Sequence, residues 1–292
     1  MNYVKSATRN LVKRKFVTLI NLTGLSVSMA LFIMIGLYLE FETSYDDFHS
    51  DGENIYLLTK ELKTPTSRTL TGVVNYPEGA LIAKDYPQVE EVVRTYKSDN
   101  SLTKSGDRVF MENNFFFVDK NFFDVFNFEI IQGSPTAALN QIDNVVITEE
   151  TALKYFGRKD VLGEVITITE QYWNVTNDFK VSAIVKKPPL NSHIQFDFLT
   201  SFDAFERLSG LNATHQNPVW YWGWNTFQTY IKLNQEVDPE AFVKGLDSFV
   251  QKYYSVNEKD IATLSLTPMQ DVYLRPDINN GHDIAGSPQT IQ

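Results

Sequence analysis

An uncharged run of about 24 residues near the amino terminus constrains this chain more than any other feature. It extends from Phe16 to Leu39 and contains no Asp, Glu, Lys, Arg or His. A helix with a rise of ~1.5 Å per residue would span ~36 Å over this run, and the hydrocarbon core of a bilayer is ~30 Å thick. The run therefore predicts a transmembrane helix, which we place at residues 16–41.

The charges on either side of this run predict its orientation. Six carboxylates follow it between Glu40 and Glu53, whereas five cations and no carboxylate precede it: Lys5, Arg9, Lys13, Arg14 and Lys15. The positive-inside rule then places the amino terminus in the cytoplasm and the rest of the chain outside it. Residues 1–15 also carry Val4, Ala7 and Leu11 at helical spacing, which predicts a cytoplasmic amphipathic helix.

Two other interpretations of the apolar run are a cleaved signal peptide and a buried core helix. Ser26-Val27-Ser28 resembles a cleavage site with small residues. The apolar run continues about eleven residues beyond Ser28, however, which is longer than the hydrophobic region of a signal peptide. The length therefore favours a membrane anchor.

Composition excludes several classes of protein. The chain has 36 acidic and 26 basic side chains and a formal net charge of −10, which argues against nucleic-acid binding. It has no cysteine, so disulfides, thiol catalysis and cysteine-ligated metal sites are excluded. An aromatic content of 13% and a hydrophobic content of 43% are typical of a folded protein rather than a disordered one.

Beyond the apolar run, the periodicity predicts two β-α-β units that flank a β-rich segment. The first unit has strands at 54–62 and 91–96 with a helix that begins near Pro77. The second has strands at 225–233 and 262–269 with a helix capped by Asp238. The segment between them contains short strands at 145–148, 164–169 and 179–185 and a helix at 149–156 that ends at Gly157. We predict an α+β fold in which one split domain carries an insertion.

The chemistry-bearing motifs of common enzymes are missing from the sequence. There is no Gly-Lys pair for a phosphate-binding loop and no nucleophile elbow, and the four histidines (His49, His193, His215 and His282) lack ligand-like spacing. We therefore predict that the chain is not an enzyme and has no catalytic, cofactor-binding or metal-binding residues. Two aromatic clusters, Phe115–Phe128 and Trp220–Trp224, favour a core or a seam between subdomains over a ligand surface.

Several segments resemble a known membrane-protein family. They read NLTGLSVSMALF in the apolar run, then FVDKNFFDVFNFEIIQGSP, ALKYFGRKDVLGEVI, KKPPLNSHIQFDFLTSF and finally LTPMQDVYL. Together they resemble MacB/FtsX-type ABC transporter permeases, especially forms from Bacteroidetes-like bacteria. The block ALKYFGRKDVLGEVI is the most specific of them.

The resemblance implies a particular domain organisation and location. After the amphipathic helix (1–15) and the transmembrane helix (16–41), it implies a porter-like subdomain in two parts, 42–108 and 222–292. Residues 109–221 would form an inserted, mainly β, sabre-like subdomain. The chain would sit in a bacterial inner membrane with its main domain in the periplasm.

The resemblance also implies a mechanism. A cytoplasmic ABC ATPase, separate or fused, would move the transmembrane helices, and the periplasmic domain would couple that motion to export or to a periplasmic or outer-membrane partner. The resemblance implies a homodimer or heterodimer of permeases and no cofactor. Family members continue into three more transmembrane helices, so we expect this chain to be a truncated permease that ends before the second one.

Two alternatives remain open at the level of sequence. A single-pass sensor or ligand-binding module would use the acidic domain for recognition, although about fifteen cytoplasmic residues offer no output domain. A periplasmic hydrolase is the weaker alternative because the sequence has no nucleophile motif.

Overall fold

A computed structural model describes residues 9, 13–210, 222 and 225–279 of the chain. The chain divides into two compact units, Met1–Tyr45 and Asp46–Gln292. The predicted amphipathic helix over 1–15 lies almost entirely outside the described residues.

The first unit contains one long helix, α1 (Lys15–Thr43), none of whose residues is buried. By length and composition it is able to cross a membrane. Two of its hydroxyl groups bond within the helix: Thr23 donates to the carbonyl of Leu19 at 2.9 Å and Ser28 to that of Gly24 at 2.8 Å. Such internal bonding is what a hydrocarbon environment requires, because no water is present there to pair with polar groups. The prediction of a helix over the apolar run is confirmed.

The second unit is built on one extended sheet with helices packed against it. Its strands are β1 (Ile55–Lys63), β2 (Arg68–Thr71), β3 (Val74–Asn75), β4 (Val89–Ser98), β5 (Ser101–Ser105), β6 (Arg108–Glu112), β7 (Phe115–Val118), β8 (Ile130–Gln132), β9 (Asn144–Thr148), β10 (Val165–Glu170), β11 (Val175–Val185), β12 (Phe198–Ser201), β13 (Asn225–Leu233), β14 (Ala262–Pro268) and β15 (Ile278–Asn279). The helices are α2 (Glu78–Asp85), α3 (Phe122–Val125), α4 (Pro135–Ala138), α5 (Glu149–Phe156), α6 (Phe202–Ser209) and α7 (Pro239–Tyr253).

Two β-α-β units interleave at one end of this sheet. The strand order there is β14-β1-β13-β4, and each strand is antiparallel to its neighbour. β13 therefore lies between β1 and β4 of the first unit, and β1 lies between β13 and β14 of the second. This is the split β-α-β arrangement, in which neither unit has a complete sheet without the other.

From β4 the sheet continues through the middle of the chain. The order is β4-β7-β12-β9-β11-β10-β5-β6, with parallel pairing between β7 and β12 and between β9 and β11. The predicted β-rich character of this segment is therefore observed, and it shares one hydrogen-bonded sheet with the β-α-β units.

Local sequence signals set the helix ends. The hydroxyl of Thr148 accepts a hydrogen bond from the backbone of Thr151 at the start of α5, and Gly157 ends that helix with a φ of 70°. The carboxylate of Asp238 accepts from the backbone of Glu240 at the start of α7. These are the expected capping geometries; the caps at Gly157 and Asp238 were predicted, whereas the one at Thr148 was not.

Three clusters of buried apolar side chains stabilise the second unit. One packs α2 and α7 on β1, β13 and β14, a second packs α5 and α6 on β7, β9, β10, β11 and β12, and a third surrounds α3. The phenylalanines between Phe115 and Phe128 belong to these cores, and all but Phe123 are buried. The interpretation of that aromatic cluster as core is confirmed. Of the second cluster, Trp220–Trp224, only Trp222 is described, and its ring packs 5.4 Å from that of Tyr254.

The periodic elements were predicted within three residues at most ends, and most of the short ones were not predicted. The strand at 225–233 and the helix at 149–156 have the predicted bounds, whereas β2, β3, β5, β6, β7, β8, β12 and β15 and helices α3, α4 and α6 were missed. Most of these are five residues or fewer, too short to show a period. The subdomain boundaries after 108 and 221 stay predictions; β5, before the first of them, pairs with β6 and β10.

Candidate functional site

The residue that begins the second unit, Asp46, is fully buried in a polar cluster. Its backbone N–H donates to the carbonyl of Asn191 at 2.9 Å, and its carboxylate accepts from the Ser192 hydroxyl at 3.0 Å and from Nδ1 of His193 at 2.6 Å. Nε2 of His193 lies 2.8 Å from the hydroxyl of Tyr230 on β13. We call Asp46, Ser192, His193 and Tyr230 the anchor cluster.

The electrostatics of the anchor cluster favour an ionised Asp46. Burial alone would raise the pKa of its carboxyl, but the charge and hydrogen bond of His193 and the hydrogen bond from Ser192 outweigh this and lower the pKa. Burial and the negative charge of Asp46 raise the pKa of Tyr230 well above its usual value. Tyr230 therefore keeps its proton. An ionised carboxylate can only accept a hydrogen bond, so in the bond between His193 and Asp46 the proton is on Nδ1 of His193.

An Asp-His pair beside hydroxyl groups resembles hydrolase machinery, but here it is closed to substrate. The side chains of Asp46 and His193 have exposures of 0% and 1%, and Tyr230 and Ser192 are also buried. A nucleophile or general base has to reach the atom it attacks or deprotonates. The cluster therefore fixes the chain where it enters the second unit.

A second buried histidine supports the same segment. Nδ1 of His49 accepts from the backbone N–H of Asn127 at 2.9 Å, and the ring packs against Phe48, Phe126 and Phe128. Burial is the main reason that the pKa of His49 falls to about 4, and nearby His193 lowers it further against the opposing effect of Asp46. His49 is therefore neutral at physiological pH.

The segment from Asp46 to Asp51 also contacts strand β13 at a second point. The ammonium group of Lys232, two residues beyond Tyr230, lies 3.0 Å from Asp51 and 3.1 Å from Glu90. The stretch from Asp46 to Asp51 is thus joined to β13 through both Tyr230 and Lys232, and β13 is hydrogen-bonded to β1 and β4.

A cleft of about 460 Å³ lies elsewhere on the second unit, between α2, β4 and α6. Its partly buried cation, Arg94, is held by Asp119 at 2.7 Å and by the rings of Tyr76 and Phe202 at 4.5 and 4.6 Å. The remaining polar lining is mostly carboxylate, namely Glu90, Glu91, Asp203 and Glu206, and the second cation, Lys120, is paired with Asp203 at 2.5 Å. Because Arg94 is already neutralised, the cleft offers a ligand chiefly negative charge.

Sequence reasoning treated His49 and His193 as chance loop residues, and it did not find the anchor cluster. Its members are separated by 37 or more residues along the chain apart from Ser192 and His193. One sequence signal could have pointed to the anchor cluster: Asn191–His193 lies within KKPPLNSHIQFDFLTSF, one of the segments that carry the family resemblance. Within the described residues no group of three or more His, Cys, Asp or Glu side chains is arranged to hold a metal ion. The predicted lack of catalytic and ligand residues stays a prediction.

Comparison of the fold with solved structures gives three informative matches. A domain of a proposed permease from Porphyromonas gingivalis aligns with a TM-score of 0.61 at 19% identity, over 75% of this chain and 91% of that one. The periplasmic region of MacB from Actinobacillus actinomycetemcomitans aligns with a TM-score of 0.52 at 14% identity, over 76% and 92%. The extracellular domain of YknZ, a noncanonic ABC-type transporter from Gram-positive bacteria, aligns with a TM-score of 0.50 at 12% identity, over 72% and 99%.

At these identities the matches establish the fold, a mixed α+β domain of the kind found outside the membrane in such permeases. No curated protein sequence matches the chain. The family model of the MacB-like periplasmic core domain, however, matches residues 18–249, which is most of the chain. The α1 helix, the split β-α-β sheet and this match lead to one conclusion: the chain belongs to the MacB-like periplasmic core domain family.

Proposed function

We propose that this chain is the periplasmic part of an ABC transporter permease that converts ATP-driven movement of its membrane helix into movement of the sheet outside the membrane. A cytoplasmic ABC ATPase supplies the energy, and the sheet acts in export or on a partner in the periplasm. The chain itself catalyses no reaction; domains of this family are non-catalytic transporter components.

The anchor cluster is the observation that carries this proposal. A displacement at the end of α1 reaches the second unit through Asp46, since the chain is continuous there. Asp46 is hydrogen-bonded to the 191–193 loop, and His193 joins it to β13. A buried, fully paired attachment transmits force better than a flexible linker, because exposed linkers absorb displacement by changing their own conformation.

The proposed orientation places the amino terminus in the cytoplasm and the second unit in the periplasm of a bacterial inner membrane. The chain has no cysteine, so single-cysteine variants report sidedness directly. In intact spheroplasts we expect a membrane-impermeant maleimide to label Tyr172→Cys, whose side chain is 77% exposed, and to leave Ser6→Cys unlabelled until the membrane is permeabilised. The unsubstituted chain is the control for background. The reverse labelling pattern would show that the orientation is wrong.

The coupling itself can be measured by hydrogen exchange on the native complex. The chain is purified from its host with its ATPase, placed in lipid nanodiscs and compared without nucleotide and with ATP plus vanadate. We expect nucleotide to change amide exchange in residues 46–54 and 191–197. With a hydrolysis-deficient ATPase variant, we expect exchange in these segments to correspond to a single conformational state. In Asp46→Gly the ATPase should still turn over while the response beyond residue 46 decreases.

Two outcomes would contradict the proposal. One is that no ATP-hydrolysing subunit accompanies the chain from native membranes. The other is that exchange in these two segments is the same with and without nucleotide, although the ATPase is active.

A further inference from the structure

Strand β6 (Arg108–Glu112) forms the last strand at one end of the sheet. It pairs with β5 on one side, and the described residues provide no strand on its other side. Its pairing with β5 has no bulge, and its sequence, RVFME, has no proline or lysine. Natural edge strands are commonly blocked by such features, because a free edge invites pairing with another chain.

The side chains of β6 are unusually apolar for a free edge. Val109, Phe110 and Met111 have exposures of 48%, 40% and 51%. Val109 and Met111 lie on the same face as their β5 neighbours Lys104 and Leu102, whereas Phe110 lies on the other face, with its ring 5.5 Å from that of Tyr155. Apolar surface is therefore exposed on both faces of this edge.

The hairpin geometry fixes which backbone groups of β6 point outward. A two-residue turn, Gly106-Asp107, joins β5 to β6, and Gly106 has the positive φ of 58° expected at the first turn position. In such a hairpin the flanking pair Ser105 and Arg108 is hydrogen-bonded, and the pattern alternates along the strand. The N–H and C=O groups of Val109 and Met111 therefore face away from β5.

This pattern is self-complementary when two β6 strands run antiparallel with Phe110 at the centre. Val109 of each copy then lies opposite Met111 of the other, so all four outward N–H and C=O pairs can form hydrogen bonds. Phe110 lies opposite Phe110, and Arg108 lies opposite Glu112, which is buried and held by Lys154 and Tyr155 of its own chain. No like charges meet, whereas parallel pairing would bring Arg108 beside Arg108 and Glu112 beside Glu112.

We propose that β6 is a docking edge for a second copy of this chain, through antiparallel β6–β6 pairing centred on Phe110. The matching of apolar side chains and of outward backbone groups in a single register, with no like charges brought together, is what identifies the second copy as the occupant. The proposal concerns assembly outside the membrane helix and does not depend on ATP coupling.

Cysteine cross-linking of the full chain in lipid nanodiscs tests this register. Phe110 would occupy a non-hydrogen-bonded pair on the two-fold axis, where the Cα atoms of an antiparallel pair are about 4.5 Å apart, a distance that a disulfide can bridge. We expect Phe110→Cys to form a covalent dimer under mild oxidation, several-fold more than Tyr172→Cys or Val256→Cys, which are 77% and 74% exposed. Equal yields at all three positions, or no dimer at 110, would overturn the proposal.

A proline variant separates strand pairing from mere proximity. Val109→Pro removes an outward N–H that β5 does not use, so the fold should tolerate it. In the Phe110→Cys background it should abolish the cross-link while the melting temperature of the second unit stays that of Phe110→Cys alone. If the cross-link persisted in the double variant, the two copies would not be joined through their backbones and the proposal would be wrong. If Val109→Pro lost the cross-link and also lowered the melting temperature, a second variant, Met111→Lys in the same background, decides the question. We expect Met111→Lys to abolish the cross-link. A cross-link that persisted in Met111→Lys would overturn the proposal.

Discussion

Replacing Asp46 with alanine should lower the free energy of unfolding of the second unit by about 4 kcal/mol. About 3 kcal/mol arises because the backbone N–H and Nδ1 of His193 lose their buried acceptor and the Ser192 hydroxyl loses its carboxylate partner. About 1 kcal/mol more arises because Asp46 has a φ of 61°, and alanine lacks the short polar side chain that makes this left-handed conformation tolerable for aspartate. Urea unfolding of the full chain in detergent, followed by tryptophan fluorescence, measures the change.

Two matched variants separate these causes. Asp46→Gly also removes the carboxylate but accepts a positive φ, so it should lose about 3 kcal/mol rather than 4. Asp47→Ala changes the adjacent, exposed carboxylate and should alter the free energy of unfolding by less than about 0.5 kcal/mol. If Asp46→Ala unfolded at the same urea concentration as Asp47→Ala, the anchor cluster would not stabilise the unit.

Acidification should destabilise the second unit through His49. The pKa of His49 is about 4 in the folded chain against 6.5 as the ordinary value, so between these pH values the unfolded chain binds a proton that the folded chain does not. The stabilisation is fully present above pH 6.5 and decreases as the pH falls toward 4, by about 3 kcal/mol in all and by about 2 kcal/mol at pH 5. Urea unfolding at a series of pH values between 7.5 and 5 measures this dependence.

The matched control replaces the titrating ring with an amide. His49→Gln retains an acceptor for the N–H of Asn127 but cannot gain a proton in this range. Its free energy of unfolding should fall about 2 kcal/mol less than that of the parent between pH 7.5 and 5. Titration of Asp46 does not contribute to this difference, because its pKa is lowered from 3.8 and lies outside the range from pH 7.5 to 5. Equal slopes for the variant and the parent would show that His49 is not responsible.

Long, periodic segments were predictable because their information is local. The run from Phe16 to Leu39 became α1. The strand 225–233 has the bounds that alternation indicates, and the helix 149–156 ends at Gly157 as predicted. The short strands were missed for a related reason. β7 (Phe115–Val118) is buried on both faces by its neighbours and shows a continuous apolar run instead of alternation.

By itself, the sequence determined the α+β class, the long apolar helix, the two β-α-β units and the family, because each depends on composition, periodicity or local motifs. Only the tertiary structure decided which strands are neighbours, that β13 is placed between β1 and β4, and that β6 ends the sheet. It also decided that Asp46, His193 and Tyr230 meet. Hydrogen bonds between residues 37 to 147 positions apart depend on how the sheet brings distant segments together, and no local pattern in a single sequence encodes that approach.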